Sequence, residues 1–206
     1  MKLKLLMLMF AATLLSTEGK SQTKLPDPEY RKFFIGSTLF VLSNLAPDNN
    51  PPEFAQLNFG YRVTPKEIVS VEFKTWRYAW PLGIPYGDSF EASGEGYPGS
   101  IRDFGTALVY QRFVWKGLYG AVHALNAVEK YSDMDGKKIT NGYMLFMTYR
   151  VGYHIELFRN RMFIEPSVAM TQWPIRTNTP DAFAAVDSRW PKYFLFEPGL
   201  HFGVKF

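Results

Sequence analysis

Residues 193–206 read YFLFEPGLHFGVKF, and the stretch alternates with period two as far as a terminal aromatic residue. Phe194, Phe196, Pro198, Leu200, Phe202, Val204 and Phe206 fall on one face. Glu197, Gly199, His201, Gly203 and Lys205 fall on the other, with Leu195 as an apolar intruder. Successive side chains of a β-strand point to opposite sides, so this pattern predicts a strand with one apolar and one polar surface.

The same alternation recurs upstream. Ala55, Leu57, Phe59, Tyr61 and Val63 oppose Gln56, Asn58, Gly60 and Arg62; Val69, Val71, Phe73 and Thr75 oppose Ser70, Glu72 and Lys74. A longer segment sets Tyr143, Leu145, Met147, Tyr149, Val151, Tyr153, Ile155 and Leu157 against Thr148, Arg150, Gly152, His154 and Glu156, with Met144, Phe146 and Phe158 on the second face. A seventh places Ile164, Pro166, Val168 and Met170 outward and Glu165, Ser167 and Thr171 inward. Eight extended segments are predicted in all. They are joined by long connections around residues 43–53, 81–100, 133–141 and 177–192, and by tight ones at Thr64-Pro65-Lys66-Glu67, Lys116-Gly117 and Asn160-Arg161. Long and short connections alternating between amphipathic strands are the signature of an up-and-down membrane barrel. Strands one, four and five have no decisive alternation. In strand four Arg112 is assigned inward, because a charge on a lipid face is costly, and the Lys116-Gly117 turn then pairs Tyr110 with His123. Trp76, Tyr78, Trp80, Trp115, Tyr143, Trp173, Trp190 and Tyr193 gather at segment ends, the level at which such rings meet lipid headgroups.

At the other end of the chain, Lys2 and Lys4 precede an apolar run over residues 5–15, too short to cross a bilayer. It reads as a signal peptide. Small residues place cleavage after Gly19 or after Ser21; Ser21 is favoured because Gly19 and Ser21 then hold the minus-three and minus-one positions, which gives a periplasmic segment over 22–32 and a barrel over 33–206. No cysteine occurs, which excludes a disulfide framework, a thiol nucleophile, a thiolate metal site and lipoprotein attachment. Removing residues 1–21 takes away Lys2, Lys4 and Lys20 against Glu18 and lowers the formal charge from +4 to about +2, so no nucleic-acid footprint is indicated. The hydrophobic fraction is 47%, yet past the leader no run approaches the ~20 apolar residues of a membrane helix. A barrel dilutes its apolar surface with every second residue and remains compatible with this composition.

The inward set holds Arg62, Glu72, Lys74, Arg112, His123, Arg150, Glu197 and His201, together with Glu129, Glu156, Glu165 and Lys205. Its signs nearly balance. An eight-stranded barrel is just wide enough for side chains to fill, so opposite charges are expected to pair across the lumen and close it. A two-residue hairpin at Asn160-Arg161 pairs Glu156 with Glu165 and His154 with Ser167. A histidine facing a serine, with carboxylates one step away, is the arrangement serine catalysis needs, and makes His154, Ser167, Glu156 and Glu165 the catalytic candidates. The competing reading is a hydrogen-bonded lumen network. No HxxxH or HxH spacing suggests a metal, and no cofactor is implied. Glu165-Pro166 and Glu197-Pro198 echo one another, and each proline predicts a bulge or a local gap in strand pairing.

Taken together, these segments resemble small bacterial outer-membrane β-barrels of OmpA/OmpX-like architecture, over residues 33–206. The expected fold is all-β, an eight-stranded antiparallel up-and-down transmembrane β-barrel. The resemblance implies signal-dependent export to the outer membrane of a Gram-negative cell and contact with outer-membrane lipids and lipopolysaccharide. It also implies recognition of the terminal Phe206 by the barrel-assembly machinery. It leaves a structural or surface-binding role through the long loops, where Trp80, Tyr86, Asp88, Tyr97 and Trp190 are candidates for binding an extracellular glycan or protein. Two alternatives stand beside it. A lipid A-modifying hydrolase is one; lipid A deacylases carry a His-x-Ser motif, whereas the histidines here read HAL, HIE and HFG. The Asp-Ser step of lipid A palmitoyltransferases recurs at Asp88-Ser89 and Asp187-Ser188, with no histidine in either loop. An OmpW-type channel for small hydrophobic solutes is the other, and it needs an apolar lumen.

Overall fold

The computed structural model describes residues 31–45, 52–78, 98–189 and 191–206. The leader 1–21, residues 22–30 of the segment after it, Asp88-Ser89, and the loop candidates Trp80, Tyr86, Asp88, Tyr97 and Trp190 lie outside these residues. The chain forms strands β1 (Phe33–Thr38), β2 (Ala55–Thr64), β3 (Glu67–Tyr78), β4 (Gly99–Trp115), β5 (Leu118–Asp133), β6 (Lys138–Tyr153), β7 (Ile155–Leu157), β8 (Met162–Thr177) and β9 (Tyr193–Lys205). A 3₁₀ segment, Leu39–Leu45, follows β1, and one short helix, α1 (Asp181–Asp187), lies between β8 and β9. Every pairing is antiparallel, and the order β6-β5-β4-β3-β2-β1-β9-β8 closes through a β6–β8 pairing. Strand β7 continues the β6 arm beyond a break at His154, so the ring has eight arms, and among the described residues no sheet edge is left open. The all-β, eight-stranded antiparallel expectation is met.

The faces follow the alternation where it was clear. Along β2 and β3, Leu57, Phe59, Val69 and Phe73 are exposed outside, while Asn58, Ile68 and Glu72 are buried inside. In the β6 arm Thr148, Arg150 and His154 are buried, and in β8 so are Glu165 and Thr171. Inside, the closest approaches are made at glycines: a Cβ on Gly60 would stand 1.9 Å from the Phe34 ring, which crosses the lumen to meet Phe163 edge-on at 5.2 Å.

Five expectations are corrected, most of them by a single local irregularity. The third connection is tight, because β6 already begins at Lys138: Asp133 Oδ1 accepts the amides of Asp135 (3.1 Å) and Lys137 (2.8 Å), and Gly136 takes φ 79°. In strand β4 a bulge at Val114, between the Phe113–Tyr119 and Trp115–Leu118 pairs, shifts the register by one residue. A one-residue shift exchanges faces. Val109 therefore pairs with His123, Tyr110 pairs with Val122, and Arg112 lies outside, bound to Glu67 at 3.0 Å near the turn. In β9 the extra residue sits at Leu195–Phe196, opposite Met170, so Leu195 and Phe196 are both exposed and Phe194 lies opposite the buried Thr171. Neither Glu-Pro step interrupts pairing: Pro166 stands opposite Leu200 and Pro198 opposite Val168. The irregular proline is Pro174: the Trp173–Pro174 bulge opposite Phe146 reverses the faces beyond it, putting Ile175 outside and Arg176 inside, while Trp173, inward by the same alternation as Thr171, is 3% exposed and away from a headgroup level.

Candidate functional site

The lumen is the candidate site, and it is layered. Nearest the tight turns, His154 sits where the β6 arm breaks, its amide bonded to the Gly117 carbonyl at 2.8 Å. Its Nδ1 is 2.7 Å from Glu165 Oε1, and Lys205 Nζ approaches Nε2 at 3.2 Å. A lysine ammonium has only hydrogens to offer, so Nε2 accepts and Nδ1–H donates to Glu165. Gln111 Nε2 donates to the same Glu165 oxygen at 3.0 Å, and Lys205 also donates to Glu156 at 2.7 Å. Phe163 stacks on the imidazole at 5.0 Å, and Phe113 meets it edge-on at 5.5 Å. Arg62, also inward, lies over the Phe113 ring at 5.0 Å.

The expected pairing of His154 with Ser167 does not form. The turn after β7 spans Phe158 to Arg161, with φ 50°, 55° and 62° at Phe158, Arg159 and Asn160. The longer turn displaces the register by two residues, so Ile155 meets Ile164, Glu156 meets Phe163 and Gly152 meets Ser167. A two-residue shift keeps each side chain on its face and changes its partner. Phe158, assigned inward, lies in the turn and is 71% exposed. Ser167 Oγ accepts from Arg150 Nη1 at 2.8 Å and donates to the Gly199 carbonyl at 3.2 Å. Serine and histidine thus belong to different networks, and the nitrogen a general base would use is already engaged by Lys205.

The next layer gathers Glu72, His123, Arg150, Glu197 and His201. His123 Nδ1 is 3.2 Å from Glu72 Oε1, and Arg150 Nη2 is 3.6 Å from Glu197. Room for Arg150 comes from Gly199, where a Cβ would stand 2.3 Å from Nη1. A cavity of about 30 Å³ touches Glu72, His123, Arg150 and His201. That is room for about one water, and the buried Nε of Arg150 and Nδ1 of His201 both lack a protein partner. Above it the lumen turns apolar: Leu125, Ala127 and Met144 pack with Trp173, whose indole stacks on Phe146 at 5.8 Å and 2°. Lys74 lies over the Trp76 ring at 5.3 Å beside this layer.

At the loop end the mouth is closed by α1. Phe183 is fully buried against Ile101 and Tyr131. Arg176, turned inward by the Pro174 bulge, grips Glu129 with two bonds of 2.9 and 2.6 Å and also pairs with Asp187 of α1. Tyr131 donates to Glu129 at 2.8 Å. Asp103 stands directly opposite Glu129 with both carboxylate oxygens buried and without a hydrogen bond. Asp103, Tyr131, Arg176 and Asp187 were not among the sequence candidates. For Arg176 the signal that would have found it is Pro174, whose missing donor marks the bulge that reverses the face. Outside the lumen, hydrogen bonds from Tyr110 (2.9 Å) and Thr64 (3.0 Å), with Arg112 adjacent, hold the Glu67 carboxyl at the turn below the usual carboxylate range. Among the described residues, no group of three or more acidic, histidine or cysteine side chains is placed to hold a metal.

The geometry therefore builds a packed, hydrogen-bonded plug. No family model matches the chain, and no curated protein matches it. Among solved structures it is similar to Neisserial surface protein A, at 11% identity and a TM-score of 0.43, over 84% of this chain and 97% of that one. The closed ring of eight arms rests on the strand pairings themselves.

Proposed function

We propose that this protein is an outer-membrane β-barrel, exported by its N-terminal leader, with a side-chain-filled lumen and a structural or surface-binding role carried by its loop end. The observation that carries the reading is the outer wall. On β4 the outward residues between Arg102 and Arg112 are Phe104, Thr106, Leu108 and Tyr110, and Phe104 and Leu108 are 56% and 66% exposed. Those ten steps, at ~3.3 Å each and a ~40° tilt, give an uncharged band about 25 Å tall, the height of a membrane barrel's apolar belt. Lys130 on β5 and Arg77 on β3 mark its loop-side edge. Large apolar surface of this extent, ringing a closed barrel, calls for lipid rather than water.

The plugged lumen supports a scaffold for surface loops over a channel, and the engagement of His154 by Lys205 and Glu165 supports a structural use of the catalytic candidates. On this reading lipopolysaccharide or an extracellular glycan or protein meets the loop end, and Phe206 presents the barrel to the assembly machinery. The test is expression in a Gram-negative host. The chain should fractionate with the outer membrane, leave the mass spectrum of lipid A unchanged, and lose any whole-cell ligand binding when residues 88–97 are removed. A changed acyl pattern that disappears in Ser167→Ala would replace this reading with a hydrolase.

A further inference from the structure

At the loop-side edge of the uncharged band three cations stand in one row on the outer wall. Arg77 on β3 lies directly opposite Arg102 on β4, and Arg102 lies directly opposite Lys130 on β5. They share the outward alternation of Phe73, Phe104 and Val128, which are exposed on the wall beneath them. Directly opposed strand partners approach to about 5 Å, and like charges at that distance repel. One carboxylate answers the row. Glu53, two residues before β2 and held at φ 45°, sets Oε1 3.0 Å from Arg77 Nη2 and Oε2 against Arg102 Nη2. Its carbonyl accepts from Arg102 Nη1 at 3.2 Å. Lys130 is exposed and makes no hydrogen bond or ion pair among the described residues. The neighbouring acids do not reach the row: Asp103 and Glu129 are buried in the lumen, and Asp133 accepts the amides of its own turn. The row therefore keeps a formal surplus of two positive charges, and its Lys130 side is open.

We propose that this row binds a phosphomonoester of an outer-leaflet glycolipid, the phosphate seated between Arg102 and Lys130 and the acyl chains descending over Phe104 and Val128. The inference rests on the membrane reading above and deepens it, since it names the group recognised and the residues that hold it. Glu53 already shows that the two guanidiniums take an anion with two oxygens on this face. A phosphomonoester brings three acceptor oxygens and a charge of about −1.5 to −2 at neutral pH, which matches the surplus. The diester of an ordinary phospholipid has one ionisable oxygen fewer and leaves part of it unmatched. A soluble neutral glycan brings no charge and leaves the apolar wall below the row uncovered. Lipid A joins both features, phosphomonoesters at the level where its acyl chains begin. Each cation at such a surface is worth roughly a five-fold preference.

The experiment uses the full chain, refolded in zwitterionic micelles that hold equal amounts of lipid A, lipid A stripped of its phosphates, and phosphatidylglycerol, and counts retained lipids by native mass spectrometry. The wild type should keep lipid A at about five-fold or greater preference over each of the others. Lys130→Gln should cut that preference about five-fold, and Lys130→Arg should restore it. Lys116→Gln, in the turn at the opposite end, should leave it unchanged. Both lysines are exposed, so each variant should keep the heat-modifiable mobility of a folded barrel. Equal retention of lipid A with and without phosphate overturns the proposal, as does phosphatidylglycerol retained as well as lipid A. An unchanged preference in Lys130→Gln, or an equal loss in Lys116→Gln, also overturns it. Displacement of lipid A by equimolar inorganic phosphate would assign the row to a soluble anion instead. A chain that inserts into bilayers without any phosphate preference refutes this inference alone. A chain that never inserts refutes the membrane reading and the inference with it.

Discussion

Replacing Leu108 with arginine tests the wall assignment where it is most exposed. Leu108 is 66% exposed, four residues from Arg112 and six from Arg102 on the same strand. With a rise of ~3.3 Å and a tilt of ~40°, it lies about 10 Å from one edge of the uncharged band and about 15 Å from the other, close to the midplane. An arginine there costs about 2–4 kcal/mol, falling to about 0–1 at the interface. Val114 is the matched control, since it is outward, 44% exposed and beside the turn at Lys116. The Leu108→Arg barrel should therefore lose roughly thirty-fold to a thousand-fold in its folded-to-unfolded ratio, and Val114→Arg about five-fold at most. The assay is reversible urea unfolding from phosphatidylcholine vesicles, followed by tryptophan fluorescence. Costs within about 0.5 kcal/mol of one another at the two positions would place both in the same medium, and the depth argument would fail.

In planar bilayers the wild type should give no steady conductance, because α1, the Phe146–Trp173 stack and the His154 cluster each close the lumen; large ohmic channels would contradict the plug. Arg176→Met strips the cation from the buried Glu129 and Asp187 carboxylates and should cost about 3–5 kcal/mol in the same unfolding assay. Much of that loss should return in Arg176→Met/Glu129→Gln, and an unaltered stability in the single variant would mean the pair is dispensable. Gly60→Ala drives a Cβ to 1.9 Å from the Phe34 ring and should cost about 1–3 kcal/mol, with the penalty shrinking in a Phe34→Leu background. Additive effects of those two substitutions would show that the ring does not fill that space.

Period-two alternation was enough to place the walls wherever two strands ran in register. Strands β2, β3 and β8 kept their predicted faces through the barrel, and so did the β6 arm as far as Glu156. What escaped the sequence were single-residue events. The bulge at Val114 carries no glycine or proline to announce it, and it alone moved Arg112 from lumen to outer wall. The turn after β7 contains three consecutive left-handed residues, of which only Asn160 is a residue type that favours that conformation. Reading it as Asn160-Arg161 alone set His154 against Ser167, whereas the longer turn gives His154 to Glu165. The Leu195–Phe196 bulge does explain the apolar intruder in the last strand, since an extra residue lets both side chains face outward. The apolar layer of Leu125, Met144 and Trp173 and the closure by α1 were invisible for a different reason. Both depend on which strands meet across the lumen, and that is a property of the closed ring rather than of any one strand. Most inward charges pair, in two tiers separated by hydrocarbon rather than through one continuous network, whereas the Asp103 carboxylate makes no hydrogen bond and Lys74 lies over the Trp76 ring.

In the proposed topology this ring crosses an outer membrane with its loop end outside. The chain contains no cysteine, so a single introduced thiol reports its position without background. Asp135→Cys places one in the exposed turn at the loop end, and Arg159→Cys places one in the exposed turn beside β8 at the opposite end. Both proteins would be expressed in a Gram-negative host and treated as intact cells with a large maleimide that does not pass the outer membrane. The thiol at position 135 should be labelled on intact cells, and that at position 159 only after the outer membrane is opened. Labelling of position 159 on intact cells with position 135 protected would invert the barrel. Recovery of both proteins in the soluble fraction would contradict the membrane assignment altogether.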